Sequence, residues 1–294
     1  MTYSEISTNK RTTFLLITVF VVIFVALGWV FGAWYGDPGF GIVLATVISS
    51  VGALVSYYQG DKIALLSSGA REIQKSDLPE LYNIVENLSI ATGLQTPKIY
   101  VIQDPSPNAF ATGRDPAHAS IAVTTGLVQL MDRQELEGVL AHELSHVKNY
   151  DIRVMTITVV LVGGIVLLSD WLLRGMFSRR GRDSDTPAAL AIIGIALAIL
   201  SPFIAQLIKL AVSRSREYLA DASGALITRF PDGLARALEK IAQIDQPLRQ
   251  ANHATAHLFI ANPFDPHVTA RFERLFSTHP PIEERIARLR KMGV

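Results

Sequence analysis

The sequence predicts an α+β chain, mostly α-helical, with four transmembrane helices arranged as two hairpins and a soluble domain divided by the second of them. Three observations carry that reading. The chain of 294 residues is 49% hydrophobic with a mean hydropathy of +0.30, too apolar for an ordinary soluble domain of this size. Its apolar residues are gathered into long uncharged runs. Between the runs the composition returns to that of a globular domain, whose strongest helical segment contains His142-Glu143-Leu144-Ser145-His146.

In chain order, Thr13 to Trp34 contains no charge and as a helix would span roughly 33 Å, enough for a hydrocarbon core. Lys10 and Arg11 precede it as they would a signal peptide, but the run is too long for an h-region and no A-x-A-like site follows. A second uncharged run, Phe40 to Tyr58, is joined to the first by Tyr35-Gly36-Asp37-Pro38-Gly39, so the two are expected to form a tight hairpin. The third, Val154 to Leu173, is interrupted by Asp170 after sixteen uncharged residues. That aspartate, beside Trp171, suits the membrane interface better than an ion path. The fourth, Pro187 to Ile208, is apolar apart from Ser201 and Gln206, with Pro202 as its expected kink. The stretch from Arg174 to Thr186 should be solvated. This divides the chain into an N-terminal hairpin (1–58), a first part of the soluble domain (59–153), a second hairpin, spanning or re-entrant (154–208), and a second part (209–294).

If all four runs cross, both soluble parts share one side. That side has ten basic residues near the span ends (Lys10, Arg11, Lys62, Arg71, Lys75, Lys148, Arg153, Lys209, Arg214 and Arg216), against Arg174, Arg179, Arg180 and Arg182 on the other. The asymmetry points to the cytoplasm, although the four clustered arginines favour a second hairpin that enters the bilayer and returns. The chain has no cysteine, so any metal must be held by His, Asp or Glu. With a net charge of +1 and no basic run interleaved with aromatics, nothing suggests nucleic acid.

In the soluble part, Asp77-Leu78-Pro79-Glu80 predicts a helix running to a cap at Gly93. Lys98 to Ile102 and Ala119 to Thr124 are strand-like. Between them Asn108-Ala109-Phe110-Ala111-Thr112-Gly113 is either an ordinary hairpin strand or an edge strand able to pair with an extended peptide. Further helices are expected over Ser213 to Thr228, Pro231 to Gln243 and, amphipathic, Pro280 to Lys291; Ile244 to Thr278 reads as irregular.

Asp132-Arg133-Gln134-Glu135 is a capping box ahead of helically spaced Leu136, Val139, Leu140, Leu144 and Val147. His142 and His146, at i and i+4, therefore share a helix face and can grip one metal ion, with Glu143 beside the open coordination position of a zinc hydrolase. A third protein ligand is needed. Asn149 and Ile152 stand where a metzincin has Gly and His, which excludes that class. Glu217 is the best candidate because Asp221 lies one turn beyond it, where it could orient a ligand histidine; Glu239, Glu273, Glu283 and Glu284 compete on residue type.

His142-Glu143-Leu144-Ser145-His146 followed by Val147-Lys148-Asn149-Tyr150-Asp151, with Ser215-Arg216-Glu217-Tyr218-Leu219-Ala220-Asp221 after a membrane segment, resembles the HtpX group of integral-membrane metalloproteases in the M48 family. The likeness extends over Asn108 to Gly113, Ala256 to Phe264 and Thr278-His279-Pro280-Pro281. It implies a zincin-like domain holding one Zn2+ per chain, with Glu217 as third ligand and Asn108 to Gly113 as the strand that binds substrate. It also implies that the turn bearing His279 lies against the metal cleft, where that imidazole could stabilise an oxyanion. The function implied is a bacterial inner-membrane endopeptidase facing the cytoplasm, which cuts misfolded or damaged membrane proteins in stress-related quality control. A non-enzymatic membrane scaffold or transporter is the alternative, and would have no need of Glu143. An intramembrane protease is disfavoured because the helix bearing His142 opens with four polar residues.

Overall fold

The computed structural model describes residues 2–34, 36–178, 213–244, 247–248, 255–261 and 280–293. Two long helices come first, α1 (Thr2–Trp34) and α2 (Pro38–Ser67). Both are long and apolar enough to cross a membrane. Asp37 caps α2, its Oδ1 accepting the Phe40 N–H at 2.9 Å, and Pro38 supplies the fixed φ of a first helical turn. The second helix outlasts its uncharged run by nearly ten residues, because Asp61 and Lys62 emerge beyond the apolar stretch without breaking the periodicity. The pair pack closely through glycine: a Cβ on Gly28 would lie 2.5 Å from Gly41 O, so no larger residue fits the crossing.

The third expected span lies in α6 (Asp151–Ser178), whose backbone continues through Asp170. Its Val154, Ile157, Leu161, Val162 and Ile165 bury against Leu16 and Phe20 of α1, making a three-helix bundle with α2. Outward, Phe14, Val43, Val47, Ile48 and Leu54 are exposed, as a lipid-facing surface requires. The fourth run, Pro187 to Ile208, lies outside the described residues.

Four strands form the sheet: β1 (Arg71–Glu72), β2 (Lys98–Ile102), β3 (Ala109–Gly113) and β4 (Ala119–Thr124), in the order β1-β2-β4-β3. β2 and β4 run parallel; β3 and β4 are an antiparallel hairpin turning through a single 3-10 turn, Pro116–His118. β3 is thus both the hairpin strand and the edge strand. Side chains alternate between two cores. Ile99, Val101, Ala109, Ala111, Ile121 and Val123 face helices α3 (Pro79–Thr92) and α5 (Arg133–Lys148). Ile102, Phe110 and Ala122 face Ala64 and Leu65 of α2, Met155 and Val159 of α6, and Leu258 and Phe259. The sheet is therefore the plate that joins the membrane bundle to the soluble domain.

α3 ends at Gly93, left-handed at φ 70, as the sequence predicts. After β4 comes the short α4 (Thr125–Leu130), then α5, whose capping box is complete: Asp132 Oδ1 accepts the Glu135 N–H at 2.9 Å and Glu135 Oε2 accepts the Asp132 N–H at 2.8 Å. Glu135 Oε2 also lies 2.5 Å from Lys240 Nζ, tying α5 to α8 (Pro231–Ala242). α7 (Arg214–Thr228) crosses α5 at Gly224, and α9 (Ile282–Met292) closes the core through Leu289.

Candidate metal centre

The hydrophobic stripe of α5 turns Leu136, Val139, Leu140, Leu144 and Val147 into the core, and the same register presents His142 and His146 to α7. α7 can come close because Gly224 has no side chain: a Cβ there would meet His142 N at 3.0 Å. Glu217, on the first turn of α7, is thereby brought to both histidines. Its Oε1 lies 3.5 Å from His146 Nε2, its Oε2 lies 3.8 Å from His142 Nε2, and the two Nε2 atoms are 3.2 Å apart. Among the described residues these three side chains, all buried, form the group able to hold a metal ion. A tetrahedral site with bonds of about 2.0–2.2 Å has edges of about 3.4 Å, and the 3.2 Å between the two Nε2 atoms is close to that value, with Glu217 presenting a different oxygen to each imidazole.

The outer nitrogens explain why the inner ones converge. His142 Nδ1 is 2.9 Å from Asp221 Oδ1, and His146 Nδ1 is 3.0 Å from Asp151 Oδ2. Each carboxylate favours a proton on Nδ1 and leaves the Nε2 lone pair inward. With both rings neutral, two Nε2 lone pairs and the Glu217 carboxylate face one point, so the donor set fits a metal, whose binding would displace any proton from His146 Nε2. Burial alone would lower His146, but its hydrogen bond to Asp151 and the charges of Glu217, Asp151 and Glu143 push it up to about 9. Burial holds His142 below its ordinary value despite Asp221.

Glu143 is buried beside the ligands. Burial, with the Glu217 charge added, pushes its carboxyl up to about 7, against the lowering pull of His146, the Ala111 N–H and Arg285. A carboxyl raised by burial beside the site is suited to take and return a proton. Ala111 belongs to β3, so the expected edge strand does border the site. Its outer edge also meets the chain's own segment, with Ile260 N–H bonded to Ala109 C=O at 3.0 Å and Asn108 Nδ2 to Ala261 C=O at 3.1 Å. Phe110 stacks edge-on against Phe259, Thr112 Oγ1 lies 2.7 Å from Thr156 Oγ1, and Gly113 N–H donates to that same Thr156 oxygen at 3.0 Å.

Two functional side chains carry no role in the sequence reading. Arg285, buried in α9, donates to Asp221 through Nε at 2.9 Å and Nη2 at 2.7 Å, bonds Ile260 C=O at 3.1 Å, and brings Nη1 within 3.8 Å of Glu217 Oε2. Burial would raise Asp221, but the Arg285 charge and the bonds to His142 and Arg285 hold it at about 2. Asp151 is the second. The rival carboxylates are elsewhere: Glu239 bonds Arg290, Glu284 bonds Arg288, and Glu283 is exposed, while Glu273 and His279 lie outside the described residues.

The sequence profile of Peptidase family M48 matches residues 75–293. The chain is 49% identical over 292 residues to the Protease HtpX homolog of Dictyoglomus thermophilum, a match covering 99% of this chain and 95% of that one. It is 48% identical over 293 residues to the Protease HtpX homolog of Tropheryma whipplei strain Twist, covering 100% and 99%. The crystal structure of S. mikatae Ste24p is similar in fold, with a TM-score of 0.51 at 18% identity over 97% of this chain and 67% of that one. With the profile matched over most of its length and relatives nearly half identical from end to end, this chain belongs to peptidase family M48.

Proposed function

We propose that the chain is an integral-membrane zinc endopeptidase that hydrolyses peptide bonds of misfolded or damaged proteins. The observation that carries this is the convergence of His142, His146 and Glu217 on one point, with Glu143 on the same helix as the histidines, in a member of a peptidase family. When bound there, a zinc ion supplies Lewis acidity, lowering the pKa of a water and polarising the scissile carbonyl.

The chain's own residues do the rest. Glu143 accepts the proton of the attacking water and delivers it to the leaving amine. Asp221 and Asp151 keep the two imidazoles in the ligating tautomer, and Arg285 fixes Asp221. Residues 108–113 are the proposed substrate strand; a peptide pairing with this edge would displace Ile260 from Ala109. His279 is the proposed donor to the oxyanion. The division into hairpins 1–58 and 154–208 and domain halves 59–153 and 209–294 is retained as the working layout. The basic-residue asymmetry supports a bacterial inner-membrane enzyme working on the cytoplasmic side.

The test is to incubate detergent-purified, zinc-loaded protein with an unfolded polypeptide beside the Glu143→Gln form. Glu143→Gln should keep its zinc and lose cleavage by several orders of magnitude; equal cleavage by both forms would refute the mechanism. Reporter fusions after Tyr150 and at the C-terminus should both report cytoplasm, and a periplasmic signal from either would overturn the topology.

A further inference from the structure

Between α5 and α6 the chain turns by 83° through Asn149 and Tyr150, and Tyr150 takes the left-handed conformation at φ 63. A tyrosine is rare there and must be held by its surroundings. The holding comes from the first transmembrane helix. Asn9, buried in α1, donates through Nδ2 to Asn149 C=O at 2.9 Å and to Asp151 Oδ1 at 2.6 Å. Next to it, Lys10 Nζ lies 4.9 Å from the centre of the Tyr150 ring, which Arg153 also faces at 5.0 Å. Two consecutive residues of α1 thus engage both residues of the turn and Asp151, the first residue of α6.

The contact with Asp151 reaches the metal centre. A carboxylate torsion is soft and roughly two-fold, so one hydrogen bond from His146 would leave Asp151 free to turn. With Oδ1 held by Asn9, Oδ2 is aimed at His146 Nδ1, 3.0 Å away, and the opposite nitrogen of that ring faces Glu217. Arg216 Nη1 stands 3.9 Å from Oδ1, near enough to contribute charge but too far for a hydrogen bond. An asparagine suits the position because its amide offers two N–H donors, and two acceptors face it.

We propose that Asn9 is a positioning residue of the metal centre, acting through Asp151 on His146, so that the amino-terminal membrane helix forms part of the metal site. The proposal rests on His146 being a ligand. Outer partners of this kind typically change metal affinity by about 10- to 100-fold.

The experiment uses the full chain in detergent, with zinc affinity measured by competition with a chelator, the absorption spectrum of the cobalt-loaded protein, and thermal unfolding in excess chelator. Asn9→Leu, close in shape but without donors, should weaken zinc by about 10-fold or more and shift the cobalt bands. Unfolding in chelator should also fall, because the buried Asn149 C=O and Asp151 Oδ1 lose their donor, so the cobalt shift is the readout that a merely structural role would not move. In an Asp151→Ala background the same substitution should have no further effect on affinity. Should Asn9→Leu fail to accumulate, Asn9→Ser, which keeps one donor, should give a smaller loss of the same kind. Unchanged zinc affinity in the Asn9 variants, or an equal loss with and without Asp151, would overturn the proposal. If the unaltered chain bound no zinc, the functional reading would fail and this inference with it. If the chain binds zinc, Glu217→Ala abolishes binding and Asn9→Leu does not weaken it, this inference alone fails.

Discussion

The membrane bundle and the soluble domain both bury polar side chains, but they satisfy them in opposite ways. In the bundle several buried hydroxyls bond backbone carbonyls: Ser49 bonds Ala45 C=O at 2.7 Å and Thr158 bonds Val154 C=O at 2.9 Å within their own helices, and Ser56 of α2 reaches Ile157 C=O of α6 at 3.2 Å. Around the metal centre the buried groups are charged and bond each other, in a network from Arg285 through Asp221 to His142 and from Asp151 to His146. A hydroxyl that bonds its own helix is complete wherever the helix goes. A buried charge is complete only when all its partners arrive together, which ties the network to the tertiary fold. A hydroxyl of the bundle that bonds its own helix can therefore be lost singly, and a charge of the metal site cannot.

The largest expected effect tests the centre of that network. Glu217→Ala removes the carboxylate that faces both Nε2 atoms, so metal affinity should fall by more than the about 10- to 100-fold expected of an outer partner. Metal analysis of the purified variant decides it, and retention of one metal per chain would refute the ligand assignment. Next comes Arg285→Gln. It leaves Asp221 buried without its cation, and breaking such a pair typically costs about 3–5 kcal/mol. Calorimetric unfolding in detergent should register that loss; a loss no greater than that from an exposed pair such as Arg288 with Glu284 would show that the network is not coupled.

The same contrast explains what the sequence made legible. The capping box, the i, i+4 histidines, the first two long apolar runs and the Gly93 cap are local patterns, readable from spacing alone, and the structure has them where the sequence puts them. β1, of two residues, and α4, of six, are too short to show a period. Arg285 did leave a signal: with Ile282, Ile286 and Leu289 it shares one face of α9, an arginine within an apolar stripe. By spacing alone Asp151 is one acidic residue beyond the histidine helix, and Asn9 one polar residue beside Lys10 and Arg11. The role of Asn9 depends on a contact 142 positions apart in the chain, which no local pattern encodes, and Asp151, five positions from His146, reaches it only because the chain turns by 83° between them.

A further comparison uses positions that look alike by exposure. Val47 in α2 is 55% exposed and Ile90 in α3 is 74% exposed, yet they should face different solvents. Val47→Lys should cost about 2.5–3.5 kcal/mol of membrane insertion, whereas Ile90→Lys should stay within about 0.5 kcal/mol of the unaltered chain. Alkaline extraction of membranes measures the first and thermal unfolding the second. Equal insensitivity at both positions would mean that α2 does not face lipid.

The finest comparison lies between two glycines where helices cross. A Cβ on Gly41 would lie 2.8 Å from Gly32 Cα and closer still to Gly28 O, all backbone that cannot move aside, so Gly41→Ala should force α1 from α2 and lower stability by about 1–3 kcal/mol. At Gly224 the nearest atoms are His142 N at 3.0 Å and Cα at 3.2 Å, so α7 need give only a few tenths of an ångström. Alanine is favoured over glycine within a helix by about 1 kcal/mol, which offsets that strain, and Gly224→Ala should leave the melting temperature nearly unchanged. Its cost should appear in the metal instead, because the shift moves Glu217 relative to His142. Measured together, the two variants should separate: Gly41→Ala mainly in unfolding, Gly224→Ala mainly in zinc affinity. A marked loss of zinc affinity in Gly41→Ala would mean that displacement of α1 is transmitted through Asn9 to the turn at Asp151, and the bundle would then be a working part of the metal site.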